Sequence, residues 1–304
     1  MTRAVERRGG SARVASASMD TSAPVFVAGP ASWNELVYLD SLPGPRSQTL
    51  FAERHRATVG GTSAGKVLNL RALGRGVVLR TVLGSDEVAP RVEGVLRQAG
   101  VALLVEPSPD GRTERHLNLM GGAGERLSIY LQVPGDVPPG RTWDAAVAAL
   151  TAAPAVVVDL ALPALPLLRE ARRLGKDVWC DVHDYDGEAD FHREFVESAS
   201  YLFLSSDRLP GYRAFMEARV AAGARLVVCT HGARGASALT AEGEWVEGPA
   251  VAVERVVDTN GAGDAFFAGY LDAHLRGAGV AEALGEGARR GALCVQSPDL
   301  TPLG

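Results

Sequence analysis

The sequence predicts an α/β fold, with a central, mostly parallel sheet flanked by helices and a small β lid over one edge. Three observations predict it. From Pro24 onward, short β-branched runs alternate with longer Ala/Leu/Arg-rich stretches. Several of those runs are almost continuously apolar, which is how strands covered on both faces read. Two segments break the rhythm with alternating residues and turn signals, as short lid strands would.

Taken in order, strands are predicted at 25–29 (VFVAG), 77–84 (VVLRTVLG), 101–107 (VALLVEP), 155–162 (AVVVDLAL), 177–182 (DVWCDV), 201–205 (YLFLS) and 225–230 (RLVVCT). Amphipathic helices fill the intervals near 63–73, 87–99, 164–174, 190–198 and 209–222. Right-handed crossovers between parallel strands place ligand loops at the carboxyl edge of such a sheet. The rhythm breaks at 35–59, with Pro43-Gly44-Pro45, and at 113–133, with Gly121-Gly122. Both are read as an antiparallel flap over the site; a plain surface hairpin is the alternative.

Composition bounds the function. With 46% hydrophobic and 22% charged residues in 304, the chain is globular rather than disordered. A net charge of −5 disfavours nucleic acid held on a basic face. No run of about 18 apolar residues is present to span a membrane. Cys180, Cys229 and Cys294 are odd in number and far apart, with no CxxC or Cys/His cluster to suggest zinc. A reducing, cytoplasmic setting is expected. Residues 1–22 are rich in Arg, Ser and Ala without apolar period, and carry four Arg against one Glu through Ser18. They lack the apolar core of a secretory signal. The reading is a disordered tail, with Met19 as an alternative start; an organellar transit segment has similar composition. Residues 23–304 form the single remaining domain.

The most informative segment is Val256 to Leu271, VVDTNGAGDAFFAGYL. It reads as an apolar strand entering Asp258-Thr259, a small-residue turn, and a helix from about Gly263 to Leu275. Gly261, Ala262 and Gly263 then present backbone N–H groups at a helix N-terminus, where unpaired donors and the dipole favour an anion. Asp264 in the same turn is poorly suited as a phosphate ligand and well placed as a base. Helix capping by Asp or Asn is the plainer alternative, and it accounts for one acidic residue rather than the whole run.

A second glycine-rich run, Gly60 to Lys66 (GGTSAGK), fits seven positions of a P-loop, but Val67 stands where a hydroxyl should bind magnesium. The run before it, Ala52 to Val59, is charged rather than a buried strand. We read a glycine turn feeding the 63–73 helix against the substrate. Lys66 stands out as one of two lysines in the chain, with Lys176.

With these residues in view, nearly the whole chain from about Val25 resembles the ribokinase-like (PfkB) carbohydrate kinases. The C-terminal signature D-T-x-G-A-G-D is matched by Asp258 to Asp264. Gly60-Gly61 followed by a helix ending at Leu73-Gly74 matches the N-terminal signature in part. Gly84-Ser85-Asp86 resembles the family's Gly-Asp-Asp, and Thr230 to Gly235 its nucleotide-loop motif T-x-G-x-x-G. The resemblance implies a ribokinase-like fold with a β lid and transfer of the ATP γ-phosphate, with Mg²⁺, to a substrate hydroxyl. Carried over, Asp264 is the base and the Gly261, Ala262 and Gly263 amides form the anion hole. Thr230, Gly232, Gly235, Asp258 and Thr259 lie with the nucleotide. Asn34, Gly60, Gly61 and Gly65 lie with the acceptor. A homodimer through the lid is also implied.

The departures are specific. Asn34 replaces the family's usual sugar-binding Asp, and Gly65 the Asn that follows the double glycine. The N-x-x-E motif is absent, with Ser205-Ser206-Asp207-Arg208 in its place. The metal ligands are therefore not identified by sequence. Asp181-Val-His183-Asp184-Tyr-Asp186 falls where a ligand loop is expected, and reads equally as a substrate contact or a solvated acidic loop. His231 and Trp33 read as ring contacts to ligand or as ordinary packing residues. The expected function is ATP-dependent phosphorylation of a sugar or sugar-like alcohol, with a nucleoside kinase and a ligand-binding relative without chemistry as alternatives.

Overall fold

A computed structural model describes residues 23–122 and 124–301. The tail expected over 1–22 lies outside the described residues. Nine strands form the main sheet. Strands β1 (Val25–Ala28), β4 (Val77–Leu83), β5 (Ala102–Pro107), β8 (Val156–Val158), β9 (Val178–Asp181), β10 (Tyr201–Ser205) and β11 (Leu226–Thr230) run parallel. A hairpin of β12 (Ala236–Thr240) and β13 (Trp245–Gly248) extends one edge antiparallel, giving the order β13-β12-β11-β10-β9-β8-β1-β4-β5.

The apolar runs are continuous because both faces of the sheet are covered. Val25 and Val27 face one core, with α1 (Thr62–Ala72), α2 (Ala89–Gln98), α7 (Ala262–Leu275) and α8 (Val280–Val295). Phe26 and Ala28 face the other, with α3 (Trp143–Ala152), α4 (Leu165–Arg173), α5 (Arg193–Ser198) and α6 (Tyr212–Ala221). This is the period-2 alternation of strand side chains.

The lid is a second sheet in the order β3-β2-β6-β7, from β2 (Ser32–Leu39), β3 (Arg54–Gly60), β6 (Arg115–Gly121) and β7 (Arg126–Gln132). The flap is not wholly antiparallel as expected. Its central pair, β2 and β6, is parallel, with Asn34 opposite His116. Each strand enters the lid from a different strand end of the main sheet, so both travel the same way.

One predicted strand is absent. Val256 and Val257 are not in a sheet; the Val257 amide donates to the Val295 carbonyl at 2.7 Å, so the segment lies along the end of α8. Among the described residues, no helix is long and apolar enough to cross a membrane.

Candidate active site

The carboxyl ends of β1, β4, β8 and β9 meet under the lid, at the reversal of strand order where open α/β sheets bind ligands. A cavity of about 410 Å³ opens there. Gly29 and Gly61 line its floor, His183 one wall, and His116 and Tyr130 come from the lid. The two lid rings pack with centroids 4.0 Å apart, and His116 Nε2 lies 2.8 Å from Glu114 Oε1.

Helix α7 begins beside this cavity. Gly261 precedes it with φ 81°, a left-handed turn that favours glycine, and no side chain caps the helix. The Gly261 and Gly263 amides donate to no acceptor among the described residues, while the Ala262 amide makes only a 3.4 Å turn contact to the Thr259 carbonyl. Space outside Gly263 is open to 4 Å. Unpaired donors at a helix N-terminus suit an oxyanion.

Asp264 stands in the first turn of α7, its side chain 13% exposed. The Thr62 hydroxyl donates to Oδ1 at 2.6 Å, and Lys66 Nζ lies 3.3 Å from the same oxygen. Oδ2 accepts no hydrogen bond from the described residues, which leaves it available for a proton. Asp264 does not itself line the cavity; Thr62, which does, connects the two. Burial pushes the carboxyl above its ordinary range, while Lys66, His183 and Thr62 pull it back only in part. A carboxylate raised in this way, one side chain removed from the cavity, is suited to general-base work.

Lys66 is fully buried on α1. It donates to Thr62 Oγ1 at 2.5 Å and Asp159 Oδ1 at 2.9 Å, and lies 3.5 Å from Asp181 Oδ2. Burial alone would push the ammonium down, but Asp159, Asp181 and Asp264 outweigh it and hold it above its ordinary value. Ser63 donates to Asp159 at 2.7 Å. The P-loop reading of this run thus has no support, since the lysine faces carboxylates beneath the site. Asp159 was missed by sequence reasoning; the one available signal was an acid inside the apolar run AVVVDLAL.

The remaining predicted residues divide. Gly61 lines the cavity, and Gly65 lies directly beneath Asp264. Asn34 is buried, accepts from the Ser32 hydroxyl at 2.7 Å, packs on Gly60, and does not line the cavity. Thr230 ends β11, and Gly232 and Gly235 bound the tight turn after it. His231 in that turn is engaged on both ring nitrogens, by Ser206 and Ser237 at 2.9 Å each, so it serves packing.

Asp258 and Thr259 are bonded to residues of the lid. Asp258 accepts from the Tyr38 hydroxyl and the Asn260 amide and pairs with Arg56 at 3.5 Å, while Thr259 donates to the Gly124 carbonyl at 3.4 Å. The acidic run after β9 also splits. Asp181 joins Lys66, whereas Asp184 lines the cavity and, with Asp186, pairs with Arg208. Trp33 packs against the core beneath Arg91.

A protein-held Mg²⁺ does not fit these residues. Among those described, no three His, Cys, Asp or Glu side chains gather as a metal set, and Asp207 is exposed. The carboxylates that do converge are held by Lys66. Magnesium in phosphoryl-transfer sites is commonly carried on substrate phosphates with few protein ligands.

Known proteins share this architecture. The chain is 33% identical over 284 residues to the acarbose 7(IV)-phosphotransferase of Actinoplanes sp., covering 92% of this chain and 94% of that protein. The structure of the microbiome-derived acarbose kinase Mak1 superposes with TM-score 0.79 at 28% identity, covering 90% of this chain and 93% of the other. Arabidopsis thaliana ribokinase, complexed with ribose and ATP, shares the fold with TM-score 0.77 at 21% identity, over 92% and 96% of the two chains. The profile of the pfkB family carbohydrate kinases matches residues 38–303. On that match, which takes in most of the lid and the α7 turn, the chain belongs to the pfkB family of carbohydrate kinases.

Proposed function

We propose that this chain transfers the γ-phosphoryl of ATP to a hydroxyl of a sugar-like substrate, with Asp264 as general base. The carrying observation is the Asp264 carboxylate, anchored through Oδ1 and free at Oδ2, in the same helical turn as the unpaired Gly261 and Gly263 amides. Oδ2 takes the hydroxyl proton as the oxygen attacks phosphorus. The Gly261, Ala262 and Gly263 amides stabilise charge on the transferring group, which matters most because phosphoryl transfer is largely positioning and electrostatics. ATP supplies the phosphoryl group, with Mg²⁺ travelling on its phosphates. Thr230, Gly232 and Gly235 form the nucleotide side. The lid excludes water and so limits wasteful hydrolysis.

The acceptor we favour is acarbose, the substrate in the names of two relatives, one of them 33% identical to this chain. His116 and Tyr130 would cover one face of a sugar ring. A nucleoside is the second reading, motivated by a cytidine kinase of Thermococcus kodakarensis at 28% identity over 79% of this chain and 89% of that protein. Leu127, Ile129 and Leu131 are exposed on the lid face turned from Tyr130, which supports a homodimer through the lid. The buried free cysteines suit a cytoplasmic setting. The test is ADP release from Mg-ATP with acarbose, ribose and cytidine in parallel. Release driven by acarbose is expected. Acceptor binding without ADP release would overturn the kinase reading in favour of a ligand-binding relative.

A further inference from the structure

Burying a lysine is costly, and buried ion pairs are often no more stabilising than apolar residues of similar volume. Lys66 is 0% exposed yet sits among three carboxylates from three other parts of the chain: Asp159 after β8, Asp181 of β9 and Asp264 of α7. Its ammonium lies 4.9 Å from the Phe267 ring centre. It cannot touch a substrate, because no part of it reaches the cavity surface. What it does reach is the oxygen of Asp264 that also takes the Thr62 hydroxyl.

We infer that Lys66 is the positioning residue of the phosphotransfer base: it fixes Asp264 by Oδ1 and keeps the carboxylate charged, while Asp159 and Asp181 hold the ammonium in place. This rests on the base assignment for Asp264. One cation shared among three carboxylates gives the cluster an excess of two negative charges, which falls to one when Asp264 takes the hydroxyl proton. Proton uptake at Asp264 is therefore favoured by the neighbouring carboxylates and opposed by Lys66. The other groups facing Asp264 are Thr62 of α1, Asp181 of β9, His183 in the following loop, Tyr130 of the lid and Cys294 of α8. Of these, His183 is the only further cationic candidate, and its ring is 37% exposed and screened by solvent.

The test is a carbon-13 NMR titration of aspartate carboxyls in the full-length protein, with the Asp264 resonance identified by its loss in Asp264→Asn. In Lys66→Met, the Asp264 titration moves to higher pH by about one unit or more, because the nearest cation is gone. In Asp159→Asn, it moves to lower pH by roughly half a unit, because the ammonium is no longer shared with that charge. With acarbose and Mg-ATP, the acid limb of kcat follows the same two directions and the KM for ATP stays put. A lysine needed only for stability would lower kcat equally at every pH. Should Lys66→Met fail to fold, Asp159→Asn decides. An unmoved Asp264 titration in a folded variant overturns the inference. The base assignment fails separately, by wild-type turnover in Asp264→Asn.

Discussion

Gly65 and Asp264 are in contact across α1 and α7: a Cβ built on Gly65 would stand 2.6 Å from Asp264 Oδ2 and 3.0 Å from its Cγ. Glycine inside a helix ordinarily costs about 1 kcal/mol relative to alanine. Here that cost secures the space in which the free carboxylate oxygen sits. Gly65→Ala should therefore gain helix propensity and lose activity. Displacing a reacting group by about 1 Å can cost on the order of a hundredfold. The expected outcome is a ten- to hundredfold fall in kcat with little change in Tm, read by ADP release and thermal unfolding on the same sample. Unaltered kcat would mean that Oδ2 is not the oxygen that takes the proton.

Asp264→Asn separates catalysis from stability. Loss of a positioned base lowers kcat by about 10²-fold or more. ATP binding persists, because the donors of the α7 turn are backbone amides. The sign of the stability change follows from the raised carboxyl. A native state that holds the proton more tightly than the unfolded chain loses stability as pH rises through that interval, up to the folded value. Neutral Asn removes this penalty, so Tm at pH 7.5 should rise by roughly 1–3 °C. A lower Tm would show that the carboxylate contributes more to the Lys66 cluster than its burial costs.

How far the sequence reaches can be judged from individual residues. The parallel strands were legible because residues such as Phe26 and Val27 are apolar in succession, each serving a different core. The α7 turn was legible because its donors and its base are adjacent in sequence. Helix α8 was not among the predicted helices; a Cβ on Gly287 within it would lie 2.9 Å from the Phe266 carbonyl, so glycine there permits close helix packing. Val256-Val257 looked like a strand because local sequence cannot show that its partner is the end of a helix. The Lys66–Asp159 pair spans 93 positions, and neither residue carries a local sign of the other. Contacts made by folding, rather than by spacing along the chain, were the ones missed.

Three lid side chains hold the lid onto the α7 turn, beside the Gly124 carbonyl that accepts from Thr259. Tyr38 donates to Asp258, Arg56 pairs with the same carboxylate at 3.5 Å, and Arg126 donates to Asn260 at 3.2 Å. A hydrogen bond to a charged group contributes about 1.5–3 kcal/mol. Because Arg56 and the Asn260 amide would still hold Asp258, Tyr38→Phe should weaken closure without abolishing it. Acceptor KM rises by a few-fold to about tenfold, and ADP release without acceptor increases, as water gains access. Equal KM and equal background hydrolysis in the variant would show that this contact does not govern closure.

Acid sensitivity should arise away from the chemistry. Burial holds His231 and His274 below the ordinary histidine range, so the native state prefers both rings neutral. The unfolded chain takes these protons first as pH falls below about 6.5. Stability from the neutral rings is therefore complete above that value and is lost progressively as pH falls through the lower folded values. Tm should drop between pH 7.5 and pH 5, with activity at pH 7.5 unaffected by the same groups. His274 meets the stacked rings of Trp179 and Tyr201 edge-on, with ring centres at 5.0 and 5.3 Å, so an aromatic replacement fits its surroundings. His274→Phe should make the decline of Tm with acid shallower while leaving kcat near the wild-type value. A decline of the same slope in this variant would remove His274 from the account.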